Sequence, residues 1–409
     1  MSLNKYILIF LPFLFNTTNS CSQIKDKWTL VPIDSAVISL FDYEQNKLEN
    51  PQALTPLFTK LHNLKNGSQE NVVLVHIGDS HIQADLLSDV VRSEFQKYFG
   101  NAGRGLVFPY QVVKTNGPFE YHSSSNSTWK WNRIARNDTI PSCGISGFGM
   151  HSKSENPEFS IKFKNYNKKL ETFDKITFFT NEDLRDLNIE YNDCQLENGI
   201  YDASKAYVTI NLKSPASSFN VSFPGKDTIR FYGASLEKLN TPGVIYHSIG
   251  VNGAQCSDYN KTSLFWKQLK QLKADCYIVS LGTNEAQLQG MAPEEFLVDL
   301  TKMVENIRKV SPTASIVLST PPVSYYNKIA PNAKLCDVVD VITDYCIQNN
   351  ITYWDLFNIS KGLEGATTWG KKKYLRSDLI HFSREGYRVQ GALLAEAFVA
   401  SWNTFLTTK

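Results

Sequence analysis

Residues 71–81 read NVVLVHIGDSH, and this short stretch decides the fold. Val72 to Ile77 is an apolar run rich in β-branched residues, which predicts a buried strand. After Gly78, apolar residues recur at helical spacing up to Gly100, a residue that favours a helix end. The recurring positions are Leu86, Leu87, Val90, Val91, Phe95 and Tyr98. The stretch therefore predicts a strand, a tight turn and a helix.

The same alternation returns in the C-terminal part of the chain. Strand-like runs lie at 276–281, 316–319 and 352–356, and helical patterns separate them around 296–307 and 335–346. Strands that alternate with helices predict a parallel sheet covered on both faces. We therefore expect an α/β domain built from both ends of the chain.

The middle of the chain has a different periodicity. From about residue 160 to residue 232, short runs alternate between apolar and polar residues, and few helical patterns are present. Such runs, separated by turn residues, predict a β-sandwich. We therefore divide the chain into a first α/β part at 22–111, an inserted all-β sandwich at 112–240 and a second α/β part at 241–409.

The N-terminus has the pattern of an export signal. Lys5 precedes an apolar run from Tyr6 to Phe15, and a small polar stretch then leads to Cys21. These features are typical of a secretory signal, here residues 1–21, and the run is too short to span a bilayer. Cys21 resembles the lipid-attachment cysteine of bacterial lipoproteins, although no Leu stands three residues before it. Simple cleavage and lipidation of Cys21, with membrane attachment, are both left open.

Composition narrows the range of partners. The 42 basic and 40 acidic residues leave a net charge of +2, which gives no reason to propose a nucleic acid partner. The 409 residues are enough for two domains. Seven cysteines are present, but no CxxC or Cys/His cluster has metal-ligand spacing, so we predict no structural metal site.

Four polar segments follow predicted strands or stand near the C-terminus. Ser80 lies at the carboxyl end of a predicted parallel strand and at the start of a helix, where a plain helix cap is the alternative. Asp378 precedes His381 by three residues, a spacing that allows the carboxylate to orient the imidazole, or a solvated loop pair. Gly253 and Asn284 each follow a predicted strand and offer uncharged donors, or simple turns.

Taken together in this chain order, the four segments resemble the blocks of the SGNH (GDSL-like) hydrolase superfamily. The resemblance implies a flavodoxin-like parallel-sheet domain and a serine esterase that needs no metal or organic cofactor. It implies that Ser80 is the nucleophile, His381 the general base and Asp378 the residue that orients it. Gly253 and Asn284 would join the Ser80 amide in the oxyanion hole. His81 stands where many members have leucine.

A narrower resemblance is carried by three longer stretches. Residues 78–85 with 101–109, 250–255 and 282–286 are similar to bacterial peptidoglycan O-acetylesterases. That group carries a β-sandwich like a carbohydrate-binding module between its first two blocks. The 173 residues that separate Ser80 from Gly253 leave room for such an insert. The resemblance covers roughly residues 71–397.

These observations predict a serine esterase that removes O-acetyl groups from an extracytoplasmic glycan, with peptidoglycan as the first candidate. The alternatives are an acetylesterase acting on a plant or host polysaccharide, an O-acetyltransferase, and a non-catalytic surface glycan-binding lipoprotein. We expect an exported protein of the bacterial periplasm or outer membrane. Trp129 and Trp131, near the entry of the insert, are candidates for a sugar-stacking platform, and packing in the core between the domains is the alternative.

Overall fold

A computed structural model describes residues 27–30, 33, 35–136, 142–166, 170–180, 188–192, 194–196, 200–202, 207–224 and 228–408. The predicted signal at residues 1–21 and the predicted lipidation of Cys21 lie outside these ranges and stay predictions. Within the ranges, no helix combines the length and the apolar character needed to cross a membrane.

The secondary structure consists of helices that lie mainly in the two outer parts of the chain and strands that dominate the middle. The helices are α1 (Ser35–Ile38), α2 (Thr55–Lys65), α3 (Ser80–Gln83), α4 (Leu86–Phe99), α5 (Cys256–Asn260), α6 (Ser263–Leu269), α7 (Thr283–Gln287), α8 (Pro293–Val310), α9 (Lys334–Asn349), α10 (Leu356–Ile359), α11 (Gly362–Lys371) and α12 (Arg384–Thr407).

The strands follow the same chain order. They are β1 (Leu48–Glu49), β2 (Val72–Gly78), β3 (Gly103–Val107), β4 (Tyr121–Ser124), β5 (Lys130–Arg133), β6 (Phe148–Ser152), β7 (Glu158–Phe163), β8 (Phe173–Thr180), β9 (Asn188–Tyr191), β10 (Cys194–Leu196), β11 (Ile200–Asp202), β12 (Tyr207–Ala216), β13 (Ser218–Ser222), β14 (Ile229–Glu237), β15 (Val244–Gly250), β16 (Cys276–Ser280), β17 (Ser315–Ser319), β18 (Tyr325–Tyr326), β19 (Ala330–Pro331) and β20 (Thr352–Trp354).

The central sheet contains strands from both outer parts of the chain. Its order is β1-β20-β17-β16-β2-β15, with β1 antiparallel at one edge and the other five strands parallel. Numbered by chain position, the parallel strands have the order 2-1-3-4-5, which is that of flavodoxin-like sheets. Helices α4 and α12 pack against each other, as do α8 and α9. The predicted α/β class is confirmed.

The middle of the chain forms two antiparallel sheets that face each other. One has the order β10-β9-β13-β7-β4, and the other has the order β11-β12-β8-β14-β6-β5. Aromatic side chains fill the space between them, and the ring centroids of Phe159 and Phe231, one from each sheet, lie 4.7 Å apart. These aromatic side chains are the packing layer between the two sheets of the predicted all-β sandwich.

A strand of the first predicted α/β part pairs with a strand of the predicted insert. Strand β3 lies at 103–107, yet it pairs with β14 of the insert. Arg104 of this strand is buried and binds the Glu120 carboxylate at 2.6 Å as well as Asp85, which also pairs with Arg92 of α4. Buried charges are stable when they are paired in this way. The network joins the insert to the α/β domain.

Candidate active site

Three polar segments meet at the carboxyl edge of the central sheet. Strand β2 lies between β15 and β16, so the loops after these three neighbouring strands lie side by side. Ser80 lies in the loop after β2, Gly253 in the loop after β15 and Asn284 in the loop after β16. The next strand of this sheet in the chain, β15, lies on one side of β2, and the one after it, β16, lies on the other. This edge is therefore the topological switch point at which open α/β sheets bind ligands.

Ser80 is held in a tight connection between β2 and α3. The side chain of Asp79 caps the helix by accepting a hydrogen bond from the His81 N–H at 2.8 Å. A side chain at Gly78 would begin 2.4 Å from Ile82 Cγ1, so glycine is required for the close approach of strand and helix. The Ser80 side chain is thereby placed at the rim, half-buried, with its hydroxyl available to other groups.

The segment from Asp378 to His381 forms a strained turn. Oδ1 of Asp378 accepts hydrogen bonds from the backbone N–H groups of Ile380 at 2.9 Å and His381 at 2.8 Å. Leu379 has a φ of 58°, a left-handed conformation that is unfavourable for a leucine. This turn brings the Asp378 carboxylate into contact with the His381 imidazole.

The structure brings Ser80, His381 and Asp378 together in one hydrogen-bonded line. His381 Nε2 lies 2.8 Å from Ser80 Oγ, and His381 Nδ1 lies 3.0 Å from Asp378 Oδ2. Burial opposes the charge of Asp378, but the hydrogen bonds from His381 and Ile380 outweigh it and lower the pKa of this carboxyl. Asp378 is therefore ionised and can hold the imidazole with Nε2 facing the serine. The His381 side chain is 33% exposed, which leaves the line open to solvent.

Two backbone amides at this edge, those of Ser80 and Gly253, are candidates for an oxyanion hole. Gly253 has a φ of 81° and is exposed, and Ala135 Cβ of the insert lies 3.9 Å from the point where a side chain would begin. Within the described residues, neither the Ser80 nor the Gly253 N–H donates a hydrogen bond. Both are available to an oxyanion, the chemistry that the sequence predicted for them.

The amide of Asn284 is engaged with the protein. Its Nδ2 donates to Asp79 Oδ2 at 3.1 Å and to the carbonyl oxygen of Ala254 at 2.9 Å. Asn284 thus links the segment that carries Ser80 to the loop that carries Gly253. Because both amide hydrogens have acceptors, the predicted role in an oxyanion hole requires that one of these bonds be shared with the substrate oxygen.

His81 was not predicted to take part in the site, although its departure from leucine was visible in the sequence. Its ring is buried and stacks beside that of His381, with centroids 5.5 Å apart. His81 Nδ1 lies 2.9 Å from Asp79 Oδ1, and Nε2 lies 3.3 Å from the Ile380 carbonyl oxygen. Both partners accept hydrogen bonds, so both ring nitrogens carry a proton. Burial opposes this charge, but Asp79 outweighs it, and the pKa of His81 is raised.

A charged His81 has a consequence for the pH dependence of activity. Burial first, and then the charge of His81, lower the pKa of His381 below the ordinary 6.5, although Asp378 and Asp79 act in the opposite direction. A general base must be neutral, so activity is lost as the pH falls through this lowered pKa. We expect the acidic limb of kcat/KM on a small acetate ester to lie below pH 6.5.

In H81L the like charge is absent and Asp79 loses its partner, so the pKa of His381 rises. The acidic limb should move to higher pH in this variant, whatever the change in the height of the profile. The matched control is H122L, in which an exposed histidine of β4 is replaced and the profile should keep its position. An acidic limb that stays in place in H81L would show that the stacked ring carries no charge.

Gln83 is a second positioning residue that sequence reasoning missed. Its Oε1 accepts the Asn252 N–H at 2.6 Å, and its Nε2 donates to the Asn116 carbonyl oxygen at 2.8 Å. The Asn252 side chain donates to Asn116 Oδ1 at 2.7 Å. Since Asn252 precedes Gly253, these bonds fix the orientation of the glycine amide. The weak signal in the sequence was the position of Gln83 three residues after the serine.

Glu285 lies in the first turn of α7. Its oxygens accept the N–H groups of Cys256 at 2.9 Å and Gly282 at 3.1 Å, and burial raises its pKa to about 7. His76 and His247 are buried, and burial lowers their pKa values to about 3 and about 4. His76 and His247 are therefore buried residues of strands β2 and β15, and Glu285 holds two backbone N–H groups in place.

Trp129, which was predicted as part of a sugar-stacking platform, packs instead into the core of the sandwich. Its side chain is 9% exposed, packs edge-on against Phe159 and Phe223 of the sandwich core, and donates to Ser125 Oγ at 2.9 Å. A ring enclosed in this way has no face left for a sugar. Trp131 is only half-buried, and the guanidinium carbon of Arg136 lies 4.0 Å from its ring centroid.

In the ranges that the structure describes, no three His, Cys, Asp or Glu side chains are grouped to hold an ion. Cys143, Cys256, Cys276, Cys336 and Cys346 are free thiols there.

Comparison with known proteins supports the family assignment. Residues 219–389 match the GDSL-like Lipase/Acylhydrolase family, a range that includes Gly253, Asn284, Asp378 and His381 but not Ser80. This match bears out the predicted resemblance to the GDSL-like (SGNH) hydrolases and the predicted carboxylic ester hydrolase activity. No curated protein is detectably similar in sequence.

A solved structure with a similar fold aligns with most of the chain. A peptidoglycan O-acetylesterase has 21% sequence identity and a TM-score of 0.73, and the alignment covers 88% of this chain and 99% of that one. A lipase/acylhydrolase from Enterococcus faecalis has 23% identity, covers 39% of this chain and 77% of its own, and has a TM-score of 0.30. An acetylxylan esterase from Geobacillus stearothermophilus has 17% identity, covers 39% and 73%, and has a TM-score of 0.29.

Proposed function

We propose that this enzyme removes O-acetyl groups from peptidoglycan through an acyl-enzyme on Ser80. The observation that carries the proposal is the line from Ser80 Oγ to His381 Nε2 at 2.8 Å and from His381 Nδ1 to Asp378 at 3.0 Å. His381 takes the Ser80 proton as the hydroxyl oxygen attacks the acetyl carbonyl carbon. The same proton then passes to the departing sugar oxygen.

The tetrahedral oxyanion is stabilised by donors that are already in place. The N–H groups of Ser80 and Gly253 donate no hydrogen bond to any described residue, and Asn284 bonds to both of the segments that carry them. Each such donor lowers the barrier by ~3 kcal/mol because the charge develops in a preorganised site. A water molecule activated by His381 then attacks the acetyl-enzyme, and acetate leaves as Ser80 regains its proton.

Two observations support peptidoglycan as the polymer. The solved peptidoglycan O-acetylesterase aligns with 88% of this chain, which includes the sandwich as well as the α/β domain. The site is also open, since the side chains of His381 and Asp378 are 33% and 41% exposed. An exposed catalytic line admits an acetyl group that projects from a bulky chain.

Acetate release from two polymers tests this proposal. We expect kcat/KM to be at least about tenfold higher on O-acetylated peptidoglycan than on acetylated xylan, because contacts remote from the ester improve the use of the matching polymer. A small chromogenic acetate ester measures the chemistry itself. Faster acetate release from xylan would reassign the enzyme to a plant polysaccharide.

We also propose that the enzyme is exported, because its proposed substrate lies outside the cytoplasm. The support is the signal pattern of residues 1–21, with Cys21 as the candidate for lipid attachment. Cell fractionation of the full chain and of C21S checks both points. Recovery of the full chain in the cytoplasm contradicts export, and equal membrane association of both forms contradicts lipidation.

A further inference from the structure

A turn of the insert borders the oxyanion loop. Strand β5 ends at Arg133, and the chain turns through Ile134 to Arg136, whose N–H donates to the Arg133 carbonyl oxygen at 3.0 Å. Ile134 is 3% exposed, and its Cδ1 lies 3.6 Å from the point where a side chain on Gly147 would begin. Ala135, the middle residue of the turn, is the neighbour of Gly253 described above. The turn is therefore a wall of the active site.

This wall carries two arginines for which the described part of the chain offers no ion-pair partner. Within the described residues, neither Arg133 nor Arg136 has an ion-pair partner, and the buried Nε of Arg133 makes no hydrogen bond. Burial, and then the like charge of Arg136, lower the pKa of Arg133. By contrast, Arg92 and Arg104 are matched by carboxylates. Two adjacent guanidinium groups without a counter-charge favour the binding of an anion.

An aromatic ring completes the surface. Trp131 and Arg133 are two positions apart on β5, so their side chains lie on the same side of the strand. The guanidinium carbon of Arg136 lies 4.0 Å from the centroid of the Trp131 ring. The nearby Lys261 pairs with Asp258 at 2.7 Å, so that carboxylate does not neutralise the arginines. Guanidinium groups bind carboxylates through paired N–H donors, and they do so best where water is partly excluded.

We propose that Trp131, Arg133 and Arg136 form a subsite that binds a carboxylate of the glycan beside the ester that Ser80 attacks. The inference rests on the proposed function, because it takes the substrate to be an O-acetylated glycan. It adds that this glycan is anionic: its carboxylate occupies the arginine pair while the acetyl carbonyl oxygen lies at Gly253. A neutral polysaccharide leaves both charges unpaired.

The test compares R136Q and R133Q with the unmodified full chain. Their substrates are O-acetylated peptidoglycan, the same polymer after its carboxylates have been converted to amides, and a small neutral acetate ester. The unmodified enzyme should lose about tenfold or more in kcat/KM when the carboxylates are amidated, as expected for a hydrogen-bonded charge pair. Each variant should show a similar loss on the anionic polymer, mainly as a higher KM, and no loss on the amidated polymer or the small ester.

The matched control is K130Q, which removes the same charge from an exposed position on the other side of β5. It should behave like the unmodified enzyme on all three substrates. Equal losses of R136Q on the anionic and amidated polymers would overturn the subsite, and so would an unmodified enzyme that treats the two polymers alike.

A fourth and a fifth substrate separate the subsite from the proposed function. An enzyme that is inactive on peptidoglycan but prefers acetylated glucuronoxylan to neutral acetylated xylan, with the preference lost in R136Q, would refute peptidoglycan and support the subsite. Activity on peptidoglycan without any preference for carboxylates would support peptidoglycan as the substrate and refute the subsite.

Discussion

S80A should lose ester hydrolysis by at least about 10⁴-fold while it keeps the stability of the unmodified enzyme. The hydroxyl is the atom that attacks, and nothing else in the line from His381 to Asp378 can replace it. The side-chain hydrogen bond of Ser80 joins it to His381 at 2.8 Å, and the residue lies half-buried at the rim. Removal of one oxygen there leaves the core packing unchanged. Hydrolysis of a chromogenic acetate ester and the thermal midpoint measure the two effects.

The control for this substitution is S93A, which removes a hydroxyl from an exposed position of α4 and should leave turnover unchanged. A serine-directed phosphonate should label the unmodified enzyme and S93A but not S80A. Turnover by S80A at the level of the unmodified enzyme, or labelling of S80A by the phosphonate, would show that another residue is the nucleophile.

The α/β part of the fold was predictable because its signals are local. The apolar runs at 72–77 and 276–281 became the buried strands β2 and β16, and the polar residues after them had to meet at one edge of a parallel sheet. That rule places Ser80 near Asn284 without any knowledge of the contacts. The closeness of His381 could not be obtained in this way, because its segment follows a loop rather than a predicted strand, and the family resemblance supplied it.

The insert was harder to read. Residues 103–107 contain two glycines and an arginine, a composition that does not indicate a strand, and they become β3 only because β14 pairs with them. Trp129 and Trp131 are two residues apart, yet the first packs into the core of the sandwich and the second lies at the active-site wall. Residue spacing defines which side chains share a face of a strand. It does not say which of them the second sheet will cover.

Charge and protonation depend on contacts between distant parts of the chain. His81 is charged because Asp79 and the Ile380 carbonyl lie on its two sides, and residues 81 and 380 are far apart in sequence. The arginines at 133 and 136 are distinctive because no carboxylate in the described ranges pairs with them, a property that composition cannot reveal. Both features act on the same reaction centre, one through the base and the other through the substrate.

N284A should lower kcat by roughly 10²–10³-fold and change KM little. An oxyanion donor binds the charge that develops in the transition state, so its loss is felt after the substrate is bound. The structure adds a second reason for a large effect. Asn284 donates to Asp79 at 3.1 Å and to the Ala254 carbonyl at 2.9 Å, so it also keeps the glycine loop in register with Ser80.

Two measurements separate these contributions. The first is Q287A, which removes a side-chain hydrogen bond to the Tyr325 carbonyl from the same short helix and should leave kcat within about twofold. The second is the affinity for an acetyl-ester transition-state analogue, such as a methylphosphonate, which N284A should weaken in parallel with kcat. If Asn284 only positions the loop, then N284A will lower the thermal midpoint, and the affinity for the analogue will not fall in parallel with kcat. A change confined to KM would instead make Asn284 a contact for the bound substrate, because such a residue stabilises the ground state and the transition state equally.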